Sequence, residues 1–102
     1  MDFEAVVKPM LAKAVKQLRQ KFPEFDYAVG DAAYHFPGKC WAAVVVMGKA
    51  KQDISYASSF YFYDSELAAA ADPVAMIQAK IDLIVDEVMN EASVQPDLVV
   101  KG

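Results

Sequence analysis

The chain has 102 residues, the size of one domain, and 56% of them are hydrophobic, a rich content for so small a domain. Its apolar runs are much shorter than the roughly 20 residues of a membrane helix, and its start lacks the pattern of a secretory signal, so we predict neither. The single cysteine, Cys40, excludes an internal disulfide and, with no signal, predicts a cytoplasmic protein.

The first predicted element is an amphipathic helix over residues 3–22. Its apolar residues recur at steps of three and four, which places them on one face. Pro9 lies inside this pattern, so the helix either starts near Lys8 or starts at Asp2 and kinks at the proline. The unbroken apolar phase favours the start at Asp2. Pro23 predicts the end of the helix.

Three strands are predicted next, over residues 25–35, 39–48 and 54–63. The segment 36–39 between the first two contains Pro37 and Gly38, which is typical of a type II turn with a positive φ at the glycine. Short connections between consecutive strands favour an antiparallel meander. In this hairpin Tyr34 lies opposite Trp41.

Alternation along the strands divides their residues into two faces. We assign the helices to the face with the larger residues: Phe25, Tyr27, Val29, Cys40, Ala42, Val44, Val46, Ile54, Tyr56, Phe60 and Phe62. The other face is then left open and carries no charge: Ala28, Gly30, Ala32, Tyr34, Trp41, Ala43, Val45, Met47, Ser55, Ala57, Ser59, Tyr61 and Tyr63. When one face of an antiparallel sheet meets water, the residues on that face are normally polar or charged. The absence of charge on this face therefore predicts that a partner covers it.

A second long helix is predicted over residues 73–92, with Asp72 as its N-cap and an acidic, alanine-rich connector before it. Met76 and Leu83 point away from its apolar stripe and form a candidate secondary interface. Residues 94–102 are predicted to be a tail, with Pro96 as a breaker and a short strand at 98–100.

These elements predict an α+β fold: a two-layer αβββα domain in which an antiparallel three-stranded meander carries two helices on one face. Residues 1–93 form the single domain and residues 94–102 the C-terminal tail. The sequence shows no internal repeat.

No group of residues indicates catalysis. His35 and Cys40 lie nearly opposite each other in the first hairpin, but no third group orients them and no oxyanion site is evident. One histidine and one cysteine are too few for a structural zinc site. We therefore predict a protein that is not an enzyme and has neither metal nor cofactor. A small-molecule or enzymatic site in a cleft between dimer partners, using His35, Tyr34 or Tyr61, stays open as an alternative.

Charge is distributed unevenly along the chain, whose net charge is −4. Residues 1–22 carry five basic and two acidic side chains, whereas residues 64–97 carry eight acidic and one basic. The element order is shared with the double-stranded RNA-binding domain, which suggests a nucleic-acid-binding alternative using the basic side chains of the first helix: Lys8, Lys13, Lys16 and Arg19. The acidic pI of 4.8 argues against it.

The leading hypothesis is a small acidic protein-binding module, an adaptor or inhibitor of the kind carried by mobile elements or phages. A small acidic secretion-type chaperone is an alternative, and no motif of either class is present. We expect a homodimer, or a complex with another protein, through a surface built from six residues: Tyr34, Trp41, Val45, Met47, Tyr61 and Tyr63.

Overall fold

The protein folds as a three-stranded antiparallel sheet with two long helices on one face, which confirms the predicted α+β class. This structure is a computed structural model, and it describes residues 2–101 and the side chains of residues 2–93. In chain order the elements are α1 Phe3–Lys21, β1 Tyr27–His35, β2 Cys40–Lys49, a 3₁₀ turn Ala50–Gln52, β3 Ile54–Tyr63, α2 Asp64–Ala69 and α3 Pro73–Lys101.

Helix α1 starts at Phe3, beside Asp2, as predicted from the apolar pattern that continues through Pro9. The Asp2 side chain accepts a hydrogen bond from the Ala5 amide at 3.3 Å, which satisfies one of the free N–H groups of the first turn. Pro9 lies within the helix and does not end it. The last turn closes with a bond of 2.9 Å from the Phe22 amide to the Leu18 carbonyl, directly before Pro23.

Helix α3 begins as predicted but is longer. The Asp72 carboxylate accepts a bond from the Ala75 amide at 3.1 Å. The helix continues to Lys101, so the predicted end near residue 92 and the short strand at 98–100 are wrong. A strand must find a neighbour to bond with, whereas an existing helix extends by bonding to itself. A proline in the helix removes one of those bonds and crowds the carbonyl four residues earlier, but it leaves the other bonds in place. Neither α3 nor any other helix in the described part of the chain is long and apolar enough to cross a membrane.

The register of the sheet confirms one part of the predicted pairing and corrects another. Tyr34 lies opposite Trp41, as predicted. Trp41 in turn pairs with Phe62, so β3 is shifted by one residue against β2 relative to the predicted faces. A shift of one residue moves every side chain of a strand to the opposite face.

The helices cover the face that the sequence analysis left open on β1 and β2. Ala43, Val45 and Met47 of β2 are completely buried against the helices, together with Phe62 of β3. Small residues on β1 allow α1 to approach closely: a Cβ atom at Gly30 would lie 3.1 Å from the Leu11 Cβ. The assignment of the helices to the larger residues is therefore wrong for two of the three strands.

The turns differ from prediction in one detail. The Lys39 amide bonds the Phe36 carbonyl at 3.1 Å, which closes the predicted turn, but the positive φ of 50° belongs to Lys39. A Cβ atom at Gly38 would lie 2.8 Å from His35 Nδ1, so a larger residue there would displace the imidazole. The turn is thus not of type II, because its third residue has a negative φ.

Candidate functional site

The sheet face that lies away from α1 and α3 is the candidate site, and we call it the open face. It consists of alternate residues of the three strands: Tyr27, Val29, Asp31, Ala33 and His35 of β1, Cys40, Ala42, Val44, Val46 and Gly48 of β2, and Ser55, Ala57, Ser59, Tyr61 and Tyr63 of β3. Three of its large members are half exposed, with values of 54% for Val29, 55% for Tyr61 and 48% for Tyr63, and its other valines and Tyr27 are partly buried. Among the described elements, the helices pack on the opposite side.

The open face carries a single carboxylate and no basic side chain other than the imidazole of His35. That carboxylate belongs to Asp31, whose Oδ1 accepts a bond of 2.8 Å from the Ala32 amide. Apart from a few hydroxyl groups, the rest of the face is apolar. Such a face costs free energy in water and favours contact with another apolar surface.

Four of the six predicted interface residues lie on the helix side. Val45 and Met47 have 0% exposure, so they cannot contact a partner of the folded chain. Trp41 is partly buried, and its ring stacks on Phe3 of α1 with centroids 4.9 Å apart. The prediction that these three side chains form an exposed surface is wrong. They hold α1 and α3 to the sheet instead.

Tyr34 is exposed at the rim of the helix side, where its hydroxyl donates a hydrogen bond of 2.5 Å to Asp64 Oδ2. This bond, with the carboxylate charge nearby, raises the pKa of Tyr34 above its usual value because it favours the neutral phenol. Only Tyr61 and Tyr63 of the predicted set lie on the open face.

Most of the open face, including Val29, Val44 and Val46, was therefore not predicted from the sequence. A signal was present in β1. Asp31 lies in the middle of that strand, and a charged side chain in mid-strand is expected on the side that meets solvent.

The predicted secondary interface lies on α3. Leu83 is 52% exposed and Met76 is half-buried. Because α3 packs on the covered side of the sheet, these two residues do not extend the open face. They are a separate small patch.

The basic side chains of α1 are exposed, as predicted: Lys8, Lys13, Lys16 and Arg19. Lys8 Nζ lies 3.1 Å from Glu4 Oε1 within the same helix. A groove between α1 and α3 is lined by Lys21 from one helix and by Asp82 and Asp86 from the other. Acidic side chains thus border the basic helix, which lowers the positive potential that a nucleic-acid site needs.

The residues of the small-molecule alternative do not converge. His35 and Tyr61 are on the open face, whereas Tyr34 is on the other side of the sheet. His35 Nδ1 accepts a bond of 3.2 Å from the Gly38 amide, and Cys40 beside it is buried. Within the described residues, no three metal-binding side chains are grouped together.

A cleft of about 440 Å³ opens at one end of the domain, near the start of α1 and α2. It is lined by Asp2, Phe3, Trp41, Asp64, Leu67, Ala68 and Pro73. Both of its carboxylates have structural partners, since Asp2 caps α1 and Asp64 accepts the Tyr34 hydroxyl. The open face is therefore the stronger candidate for a binding surface.

Comparison of the chain with protein-family models, with curated proteins and with solved structures found no match.

Proposed function

We propose that the protein is a non-enzymatic interaction module that binds a second copy of itself through the open face of its sheet. The observation that carries this proposal is the uncovered apolar face itself, with Val29, Tyr61 and Tyr63 half exposed on it. As an adaptor or inhibitor, the module acts by contact and needs no catalytic group.

The size of the open face is adequate for a dimer. Three strands about 4.8 Å apart and about 33 Å long cover roughly 480 Å². Two such faces stacked on each other bury roughly 1,000 Å², which lies at the lower end of specific protein interfaces. The expected dimer is therefore of moderate affinity, so its population depends on protein concentration.

Self-complementarity of the open face argues for a second copy as the occupant. With a two-fold axis parallel to the strands, β2 lies over β2 of the other copy, and β1 lies over its β3. The register across the sheet aligns Asp31, Val44 and Ser59 in one row. Asp31 then meets a serine hydroxyl, and small Ala33 meets the large ring of Tyr61.

The alternative two-fold axis also lies between the two sheets but runs across the strands, and it places β1 over β1 of the other copy. It brings the Asp31 carboxylates of the two copies together, and like charges buried side by side are strongly unfavourable. The charge pattern of the face thus selects one of the two symmetric arrangements.

Val44 lies at the centre of the open face, so Val44→Glu is the variant that tests the proposal. We expect the wild-type solution mass, measured by light scattering coupled to size exclusion, to be at least two chains at high micromolar concentration. Val44→Glu should halve that mass, because the dimer would bury two unpaired carboxylates.

Gln20→Glu is the matched control, since it adds the same charge at an exposed position on α1. Its mass should equal that of the wild type. Circular dichroism must show that Val44→Glu is folded. A folded Val44→Glu protein whose mass equals the wild-type mass at every concentration would refute the proposal.

A further inference from the structure

The outer edge of β3 presents backbone groups that the sheet does not use. The Asp64 amide bonds the Lys39 carbonyl at 3.0 Å, which continues the β2–β3 ladder and fixes its phase. Even-numbered residues of β3 therefore bond to β2, and odd-numbered residues point their N–H and C=O groups outward. The outward residues Ser55, Ala57 and Ser59 are exposed.

The two edges of the sheet are protected differently. On β1 the outward amide of Ala32 is occupied by the carboxylate of Asp31 at 2.8 Å, and a charged side chain on an edge discourages strand addition. Residues 54–63 of β3 contain no charge, no proline and no glycine. Near the end of this strand the carbonyl of Tyr61 accepts a bond of 3.3 Å from Lys80 Nζ, which leaves the first two thirds of the edge free.

The flank of α3 beside this edge is apolar at its centre. Lys80 and Glu87 both reach β3, the first at the Tyr61 carbonyl and the second at the Ser58 hydroxyl. Leu83 lies one turn from each of them, so it is on the same flank of the helix. Its side chain is 52% exposed, which places an apolar group next to the free edge.

We infer that β3 is a second interface, at which the β3 strand of another copy pairs antiparallel with it. A strand with no charge can pair with itself without opposing like charges. If Ala57 of one copy lies opposite Ala57 of the other, Ser55 of each copy lies opposite Ser59 of the other. The carbonyl of Tyr61, which already accepts a bond from Lys80, then lies outside the new ladder. The result is a continuous six-stranded sheet, in which the contact uses the outer backbone groups of β3 and leaves the side chains of the open face uncovered.

The test uses Val44→Glu protein, in which the open-face contact is already disabled. We expect this protein to have a mass of two chains at high concentration, and Ala57→Pro in the same background to reduce it to one chain. Proline removes the outward N–H of residue 57, which takes no part in the β2–β3 ladder.

Amide hydrogen exchange of the Val44→Glu protein gives a second readout that needs no further variant. The amides of Ser55, Ala57 and Ser59 should exchange at least about tenfold more slowly at millimolar than at micromolar concentration. The outward amide of Tyr34 on β1 is the internal control, and its rate should not change.

Concentration-independent exchange at all three β3 amides would overturn the inference, as would a monomeric Val44→Glu protein at millimolar concentration. Either result leaves the open-face proposal intact, because that proposal is judged by the difference between wild type and Val44→Glu. Conversely, a wild-type dimer that Val44→Glu does not alter but Ala57→Pro dissociates would refute the open-face contact and support the edge.

Discussion

The position of the helices can be tested with two neighbouring valines of β2 that point to opposite faces. Val45 is completely buried against the helices, whereas Val44 is half-buried on the open face. We expect Val45→Ala to destabilise the monomer much more than Val44→Ala. The two variants are matched in residue type, strand and distance from the turns.

The expected difference follows from the volume removed. A valine that becomes alanine loses two methyl groups, each worth about 0.8 kcal/mol when buried, so the transfer contribution is about 1.6 kcal/mol. A residual cavity of roughly 40 Å³ at about 24 cal/mol per Å³ adds about 1 kcal/mol. Val45→Ala should therefore cost about 2.5 kcal/mol, and Val44→Ala, which leaves no closed cavity, less than about 1 kcal/mol.

Urea unfolding at low micromolar concentration measures both variants. With a slope near 1.5 kcal/mol per molar urea, Val45→Ala should lower the midpoint by roughly 1.5 M and Val44→Ala by less than about 0.7 M. Repeating the experiment at tenfold higher concentration separates self-association from monomer stability. An equal or larger loss for Val44→Ala would show that the helices cover the other face.

Three further outcomes follow from local contacts. Asp26→Ala removes the carboxylate that bonds the Ala50 amide at 3.0 and 3.1 Å, and should lower the free energy of unfolding in urea by about 1 kcal/mol; an unchanged midpoint would contradict this. Lys39→Gly relieves a φ of 50° and should raise the free energy of unfolding by about 1 kcal/mol, so a lower midpoint would argue against strain there. The raised pKa of Tyr34 means that its contribution to stability is complete below its unfolded pKa of about 10 and is lost as the pH rises through its folded pKa. Difference absorbance titration of wild type against Tyr34→Phe should show this high midpoint, and Asp64→Asn should lower it; no effect of Asp64→Asn would exclude the bond as the cause.

The order and local limits of the elements could be predicted because they depend on local chemistry. β3 has the predicted limits of 54–63, α1 starts beside Asp2 as predicted, and the predicted N-cap Asp72 accepts a bond from the Ala75 amide. Capping side chains, turn residues and alternation all act within a few residues of sequence. The tail could not be predicted in the same way, because Pro96 is a strong local signal against a helix and the sequence does not show what offsets its cost.

The register of β3 against β2 could not be predicted from these local signals. Period two shows which residues of one strand share a face, but it does not show which face of a neighbouring strand they join. Both faces of β2 are apolar, with Val44 and Val46 on one side and Val45 and Met47 on the other. The apolar pattern of β2 therefore does not show which of its faces the helices cover. For this reason the predicted interface combined residues from both faces of the sheet.

The small residues of β1 explain why the helices cover the face that they do. Ala28, Gly30 and Ala32 leave a shallow surface, and α1 fills it so closely that a Cβ at Gly30 would come within 3.3 Å of Val15 Cγ2. The sequence prediction placed these residues on the face that meets a partner, whereas α1 covers them in the structure. On the reverse side of β1, Asp31 has its carboxylate on its own strand's edge, so a single residue both keeps that face toward solvent and blocks pairing at β1. Both proposed self-contacts avoid opposing carboxylates: in the face-to-face dimer Asp31 lies opposite Ser59 of the other copy, and the edge contact uses the uncharged strand β3.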